Sequence, residues 1–523
     1  MAALRWKRWL FLFHRWMGIV LCLFFAAWFV SGLFMMYVDF PQLTRAERLA
    51  GLPALDLSSA KLTSANAAAY LRADELAAVD ARGAKPLLPA GSGSLRDSKI
   101  AIDAMRIGML LQRPIFEILV DGNPSPRIVF ADDGTVLHSV APEFAEQVAR
   151  DFAQRAGLIA AVDAQQVRYR ESVGIDQWTV SSALNVHRPL LLIAVNDAAG
   201  TELYVSSRSG AVVRDTDRRE RVLNYFGAVT HWLYPTFIRR YPDAWSWLVD
   251  IVSGSGSVLA LSGLWIGVLR WRRKRPEGKN AVPYRGLLRW HYFAGIAFGL
   301  TTLTWVVSGL LSMNPGRFNP PRAPAAVERE VFSGTSFDVE RFKQLPPHLD
   351  ASSVETELLF YDGQPFYCVV ARDGKRQLIA AAAPARNPNM ARLNALATKL
   401  LPGAPLIDSH WLTEYDDYYY SRHPERGDKP LPMLRVEFGD DVHTWFYIDP
   451  RTGELVERST SINRWYRWLY NGLHSWDIRW LWERRPLWDI AVITFSLGGL
   501  SLSLFGVVIG YRRLRQSAAS GRW

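Results

Sequence analysis

The chain has 523 residues, 49% hydrophobic and 21% charged, with 61 Lys and Arg against 50 Asp and Glu and a formal net charge of +11. Two cysteines, Cys22 and Cys368, exclude a disulfide framework. A mean hydropathy of −0.02 averages over long apolar runs and long polar segments, so length and composition point to a multi-part membrane protein rather than one soluble globule.

In chain order, residues 1–38 hold a basic N-terminus and the apolar run Leu10–Val38, long enough to cross a bilayer. That run exceeds the short core of a secretory signal, and no small-x-small cleavage site follows it, so it is expected to be a retained helix. Residues 39–220 form a polar segment with a linker near 41–60. It carries two hairpin signals, RIVFADDGTVLHSV and TELYVSSRSGAVVRD, and the first precedes the helical EFAEQVARDFAQRA. Residues 221–245 read as an interfacial helix with His231, and 246–271 as the second span. Residues 272–286 form a basic loop, and 287–313 the third span. The second polar segment, 314–462, opens on the Pro-rich NPGRFNPPRAPAA. It repeats the pattern with LLFYDGQPFYCVVARDGKRQLIAAA, NMARLNALATKLL and HTWFYIDPRTGELVERS. Residues 463–486 read as an interfacial helix with His474, 487–511 as the fourth span and 512–523 as a tail.

Basic residues sort by side. The N-terminus, the loop between spans two and three and the tail carry sixteen Lys and Arg against one acid, Glu277, and the rest of the chain is slightly acidic. The positive-inside rule then puts both termini and the central loop in the cytoplasm and both large segments outside, in the periplasm of a bacterial inner membrane. The positive charge is thus a topology signal, and no nucleic-acid partner is expected. Lipid is the expected surroundings of the four spans.

The chain repeats once. FHRWMGIVLCLFFAAWFVSGLFMM aligns with WHYFAGIAFGLTTLTWVVSGLLSM at an offset of 277, matching His14 with His291, Gly18 with Gly295, Trp28 with Trp305, Ser31 with Ser308 and Met36 with Met313. Around spans two and four the offset is 243, matching His231 with His474, Trp245 with Trp488, Gly263 with Gly506 and Arg270 with Arg513. Each unit reads helix, outer segment, helix, so the two repeats are expected to run parallel. At 100° per residue, His14, Gly18, Trp28, Gly32 and Met36 share one face about 80° wide. The GxxxG pairs Gly263/Gly267 and Gly506/Gly510 read first as close helix packing.

An ionisable side chain at membrane depth is costly and normally has a partner or a task. His14 and His291 begin their helices near the inner face, and His231 and His474 precede theirs near the outer face. Two inner and two outer histidines at matched positions make two bis-imidazole sites, and the flat cofactor with two axial positions is haem. Without a CxxCH motif it would be haem b, two per chain, with Gly18 and Gly295 giving room and Trp28 and Trp305 an aromatic wall. The irons would stand about 20 Å apart. A transition-metal site is the rival at the outer pair, where Asp243 and Asp477 are nearby. Met36 or Met313 could replace one outer histidine. His138, His187, His348, His410, His423 and His443 lack ligand spacing and read as solvated, and EYDDYYYSRH (414–423) reads as a strand edge. There is no Walker motif, HExxH or dinucleotide fingerprint, so the electron donor would be another molecule.

The paired HxxxG…W(F/V)VSGL helices, the YIDPRTGELVERS hairpin and the THWLYP and GLHSW segments make the chain resemble the PepSY-associated transmembrane family over essentially its whole length. The resemblance implies a four-helix membrane unit with α+β PepSY-like outer domains and haem ligation by His14, His291, His231 and His474. It also implies, as in relatives that reduce ferric siderophores, electron transfer from a cytoplasmic or quinol donor to a periplasmic ferric chelate. The first module has SSRSG where the second has DPRTG. Two other readings are open: a membrane-anchored module that binds periplasmic partners with merely structural histidines, and a quinol-linked carrier serving a protein acceptor.

Overall fold

The computed structural model describes residues 2–82, 101–160, 166–271, 282–347, 349–382 and 386–520. His348 and the basic residues Arg272, Arg273, Lys274, Arg275 and Lys279 lie outside them. The chain divides into a helical unit (1–40, 219–320, 462–523) and a mostly β unit (41–218, 321–461).

The helical unit contains four long helices, Ala2–Met35, Pro242–Arg270, Leu287–Ser312 and Leu487–Ser520. Each has a stretch long and apolar enough to cross a membrane, the shortest of 26 residues. At 1.5 Å per residue that is about 39 Å, more than a hydrocarbon core of about 30 Å. The second helix starts at Pro242, earlier than the apolar run, because proline fits the first turn, where its missing N–H has no partner to lose. The fourth runs past Tyr511 to Ser520, since RRLRQSAA consists mainly of good helix formers.

The first helix packs on the second and fourth, and the third packs on the same two. The four therefore close a ring with the first and third on one diagonal. Leu21, Phe25, Phe29, Val252, Leu259 and Val306 form its core, whereas Leu23 and Leu300 are more than 60% exposed on the outside. Glycines set the close approaches. A Cβ at Gly499 would sit 2.1 Å from the Phe29 ring, one at Gly498 2.3 Å from Phe298 and one at Gly256 2.8 Å from Phe25.

Among the described residues the β unit has fifteen strands: β1–β4 (Ile102–Leu110, Arg113–Val120, Asn123–Phe130, Val136–Leu137), β5–β8 (Arg168–Val173, Leu190–Ala194, Glu202–Ser206, Val212–Thr216), β9–β11 (Ser353–Tyr361, Gln364–Ala371, Arg376–Ala380) and β12–β15 (Leu406–Leu412, Met433–Phe438, Trp445–Asp449, Glu454–Ser459). Each expected hairpin forms. The helix Pro142–Arg155 lies on the antiparallel sheet β5–β8, and Met390–Ala397 contributes Leu393 and Leu396 to the core of sheet β12–β15. Gly453 turns β14 into β15 at φ +69°, and a side chain there would strike the Tyr361 ring. The remaining strands do not make two separate modules. They form one seven-stranded sheet, β11-β10-β9-β1-β2-β3-β4, joined across the two segments where Arg106 faces Glu357 and Ile107 faces Thr356.

Residues 414–423 are a loop between β12 and β13, not a strand edge. The Asp416 carboxylate accepts from the backbone N–H groups of Tyr418 (2.8 Å) and Tyr419 (2.6 Å), which curls the chain, and Tyr419 stacks on Tyr447 at 5.1 Å. Not all the histidines of the β unit are simply solvated: His138 Nε2 lies 3.1 Å from Asp74, and His187 Nδ1 lies 3.3 Å from Ser206 Oγ.

The seven-stranded sheet buries a charge. Glu355, 3% exposed, accepts two bonds from Arg48 (2.7 and 2.8 Å) and lies 3.7 Å from Arg106. Burial alone would raise its pKa, but the Arg48 bonds and the Arg106 charge outweigh that and hold it below the usual carboxylate value. A depressed folded pKa contributes stability that is fully present above the unfolded value and lost as pH falls through the folded one. E355Q is expected to cost about 2–3 kcal/mol near neutral pH, less than a fully buried pair because Arg48 is 30% exposed. It should also flatten the acid limb of stability against pH. Denaturant melts of both proteins from pH 7 to pH 3 check this, and a constant difference across that range would be the contrary result.

Candidate functional site

The four histidines gather as two pairs at different levels of the helical bundle. His14 and His291, on diagonal helices, line one cavity of about 450 Å3 between all four helices. That is within the roughly 300–1,000 Å3 typical of cofactor sites. Seven glycines line it, among them Gly18 and Gly295. The GxxxG glycines are also among them: a Cβ at Gly263 would come within 2.8 Å of His14 Cε1, and one at Gly506 would reach Cys22 Sγ at 2.5 Å and lie 3.7 Å from His291 Cε1. Their bareness holds space beside the imidazoles as well as bringing helices together.

His231 and His474 stand ring to ring, centroids 6.0 Å apart and planes at 73°. They are carried by short segments, yet each reaches a spanning helix. A Cβ at Gly32 or Gly309 would stand in ordinary contact, 3.5 Å from the Cε1 of His231 or His474 respectively. Two equivalent frames hold the segments: the Trp245 indole N–H donates to the Trp232 carbonyl (2.9 Å), and that of Trp488 to the Ser475 carbonyl (3.1 Å). Leu233 and Trp476 share a φ of +51°. The second segment has four more residues between its asparagine (Asn463, against Asn224) and its histidine, a length taken up by the π-turn Trp468–Gly472.

Serines decide which ring nitrogen carries the proton. Ser31 Oγ donates to the Ala27 carbonyl (2.7 Å), Ser308 Oγ to Trp305 (3.0 Å) and Ser262 Oγ to Leu259 (2.7 Å). Each hydroxyl has thus spent its proton and accepts from an imidazole: His231 Nδ1 lies 3.0 Å from Ser31 Oγ, His474 Nδ1 3.1 Å from Ser308 Oγ and His14 Nδ1 2.9 Å from Ser262 Oγ. His474 Nδ1 also lies 3.1 Å from the Trp305 carbonyl, which can only accept. The proton is therefore on Nδ1, and Nε2 carries the lone pair, the tautomer of a metal-ligating histidine. At His291 the position matching Ser262 is Phe505. There the buried Nδ1 makes no hydrogen bond of normal geometry beside the Leu502 backbone.

Trp28 and Trp305 lie outside the cavity. They pack in the bundle core, Trp28 6.0 Å from Phe25, and Trp305 5.9 Å from Phe29 and 5.7 Å from Trp476. Their part at His231 and His474 is through backbone, as acceptors for Ser31 and Ser308. From His14 to Ser31 the first helix climbs seventeen residues, about 25 Å along its axis. Asp243 is exposed in the first turn of its helix and Asp477 is buried; among the described residues the one metal-like grouping of His and carboxylates is Asp408, His410 and Glu437 on β12 and β13, in the other unit. Sequence reasoning missed the serines, although Ser31 and Ser308 stood aligned in it, because nothing in spacing says that a helix serine three residues after a tryptophan will face a histidine two hundred residues away.

No protein-family model matches the chain, and no curated protein matches it closely enough to count as a relative.

Proposed function

We propose that the chain is a bacterial inner-membrane reductase that carries electrons outward through two b-type haems to a periplasmic ferric chelate such as a ferric siderophore. The observation that carries this reading is the pair of imidazole pairs at two levels of one bundle, three of the four rings tied through Nδ1 to a serine hydroxyl. His231 and His474, facing each other with ring centroids 6.0 Å apart, would hold the outer group. His14, His291 and the glycine-lined cavity would hold the inner one. Haem supplies one-electron transfer at each end.

The chain's own residues do the rest. The serines fix ring tautomer and orientation, and the glycines admit a flat body. Phe25, Trp28, Phe29 and Trp305 keep the space between the levels dry and polarisable. The equivalent contacts in the two halves support a parallel internal repeat, and the hairpins of the β unit support the PepSY-like reading of its modules. The basic termini favour a cytoplasmic or quinol donor and an outward direction. Delivery of one electron turns Fe(III) into Fe(II), whose hold on hard oxygen ligands is weaker.

Dithionite-reduced protein, mixed anaerobically with a ferric chelate, is expected to reoxidise with one Fe(II) trapped by a ferrous chelator per electron lost. Reduced bands that persist unchanged would count against the acceptor class. S308A should weaken retention of the outer haem about tenfold, the low end of such outer-shell losses because the Trp305 carbonyl still holds His474. Haem release to excess apomyoglobin measures it, and release at the unmodified rate would deny the serine its role.

A further inference from the structure

The cavity between His14 and His291 has a charged side. We propose that Arg15 and Arg513 bind the carboxylates of the group held there, so that it enters in one orientation, its acidic edge toward the first and fourth helices. The inference rests on the haem reading and adds the residues that grip the cofactor's polar edge.

Both arginines line the cavity, and none of its described lining residues is an Asp or Glu. Arg15 directly follows His14 on a spanning helix, where a guanidinium is costly unless an anion or the interface receives it. Its Nε is buried with no hydrogen-bond partner. Elsewhere in the chain, part-buried arginines meet carboxylates, as Arg48 meets Glu355 and Arg376 meets Glu357. Arg15 and Arg513 make no ion pair among the described residues. The two sit on neighbouring helices, and Arg513 lies three residues beyond Gly510 on the cavity face.

The repeat-related positions sharpen the point. Arg270, the counterpart of Arg513, lies outside the cavity with its guanidinium 4.4 Å over the Phe11 ring. Tyr292, the counterpart of Arg15, spends its hydroxyl on the Gly267 carbonyl at 2.9 Å. Among the described lining residues, the cations stand on the first and fourth helices and none on the second and third. A fork of N–H donors is what a carboxylate takes best.

The test uses full-length H474A protein, in which only the inner site remains, stripped of haem and titrated with haem and with haem dimethyl ester. Haem should bind about ten- to a hundredfold more tightly than the ester. R15Q/R513Q should remove that preference by weakening haem alone, R513K should restore part of it, and R270Q should leave it intact. Equal binding of haem and ester, or a preference that survives R15Q/R513Q, overturns the inference while leaving the histidine ligation standing. Folded protein that takes up neither compound overturns the haem reading and this inference together. The same titrations in H231A protein guard against a folding defect peculiar to H474A.

Discussion

H474A is expected to lower the haem content from about two to about one per chain and to slow ferric-chelate reduction at least about a hundredfold, while the remaining haem stays reducible. His231 and His474 face each other at 6.0 Å, so each would be half of one site. The inner pair is about 25 Å away along the first helix, too far for any side chain to exchange roles. H231A should therefore give the same loss as H474A, and H231A/H474A no more than either alone. H14A/H474A should leave no haem. H14A and H291A should form a second such pair, stopping entry from the inner side. The readout is the reduced difference spectrum with a haem count for each variant. Bleaching of one and the same haem by H14A and H231A would sink the pairing.

The second large effect is mechanical. G499A should cost about 3 kcal/mol or more and release both haems, because the new Cβ would lie 2.1, 2.4 and 2.7 Å from three Phe29 ring atoms. Phe29 is 8% exposed and is backed by Trp305, so it has nowhere to retreat. G254A makes the matched control. Nothing lies within 4 Å of its new Cβ, and its melting should stay within about 0.5 kcal/mol of the unmodified protein. Melting in detergent, followed by tryptophan fluorescence, separates the two. If both variants melt with the unmodified protein, the close helix approach at Gly499 is not what holds the bundle.

Much of the helical unit was legible in the sequence because its signals are local or periodic. Twenty apolar residues mean a span, and a constant offset lines up His14 with His291 and Ser31 with Ser308. The pairing of histidines by level followed from the same register. What failed to show was non-local. The β1–β9 seam joins Arg106 to Glu357 across some two hundred and fifty residues, and no periodicity within either strand names its neighbour. The serine acceptors depend on which rotation two distant helices adopt. Residues 414–423 looked strand-like from their tyrosines, but one carboxylate, Asp416, captured the backbone first. The cavity side of Arg15 and Arg513 needed all four helices in place, since in the sequence they were part of a topology signal.

The most direct measurement is the absorption spectrum of the detergent-purified protein, oxidised and dithionite-reduced, with a pyridine haemochrome count. Protein made with ample haem should show low-spin b-type bands and about two haems per chain, as two bis-imidazole sites require. A colourless, folded protein would contradict haem ligation by His14, His291, His231 and His474 and leave them as structural residues of the bundle.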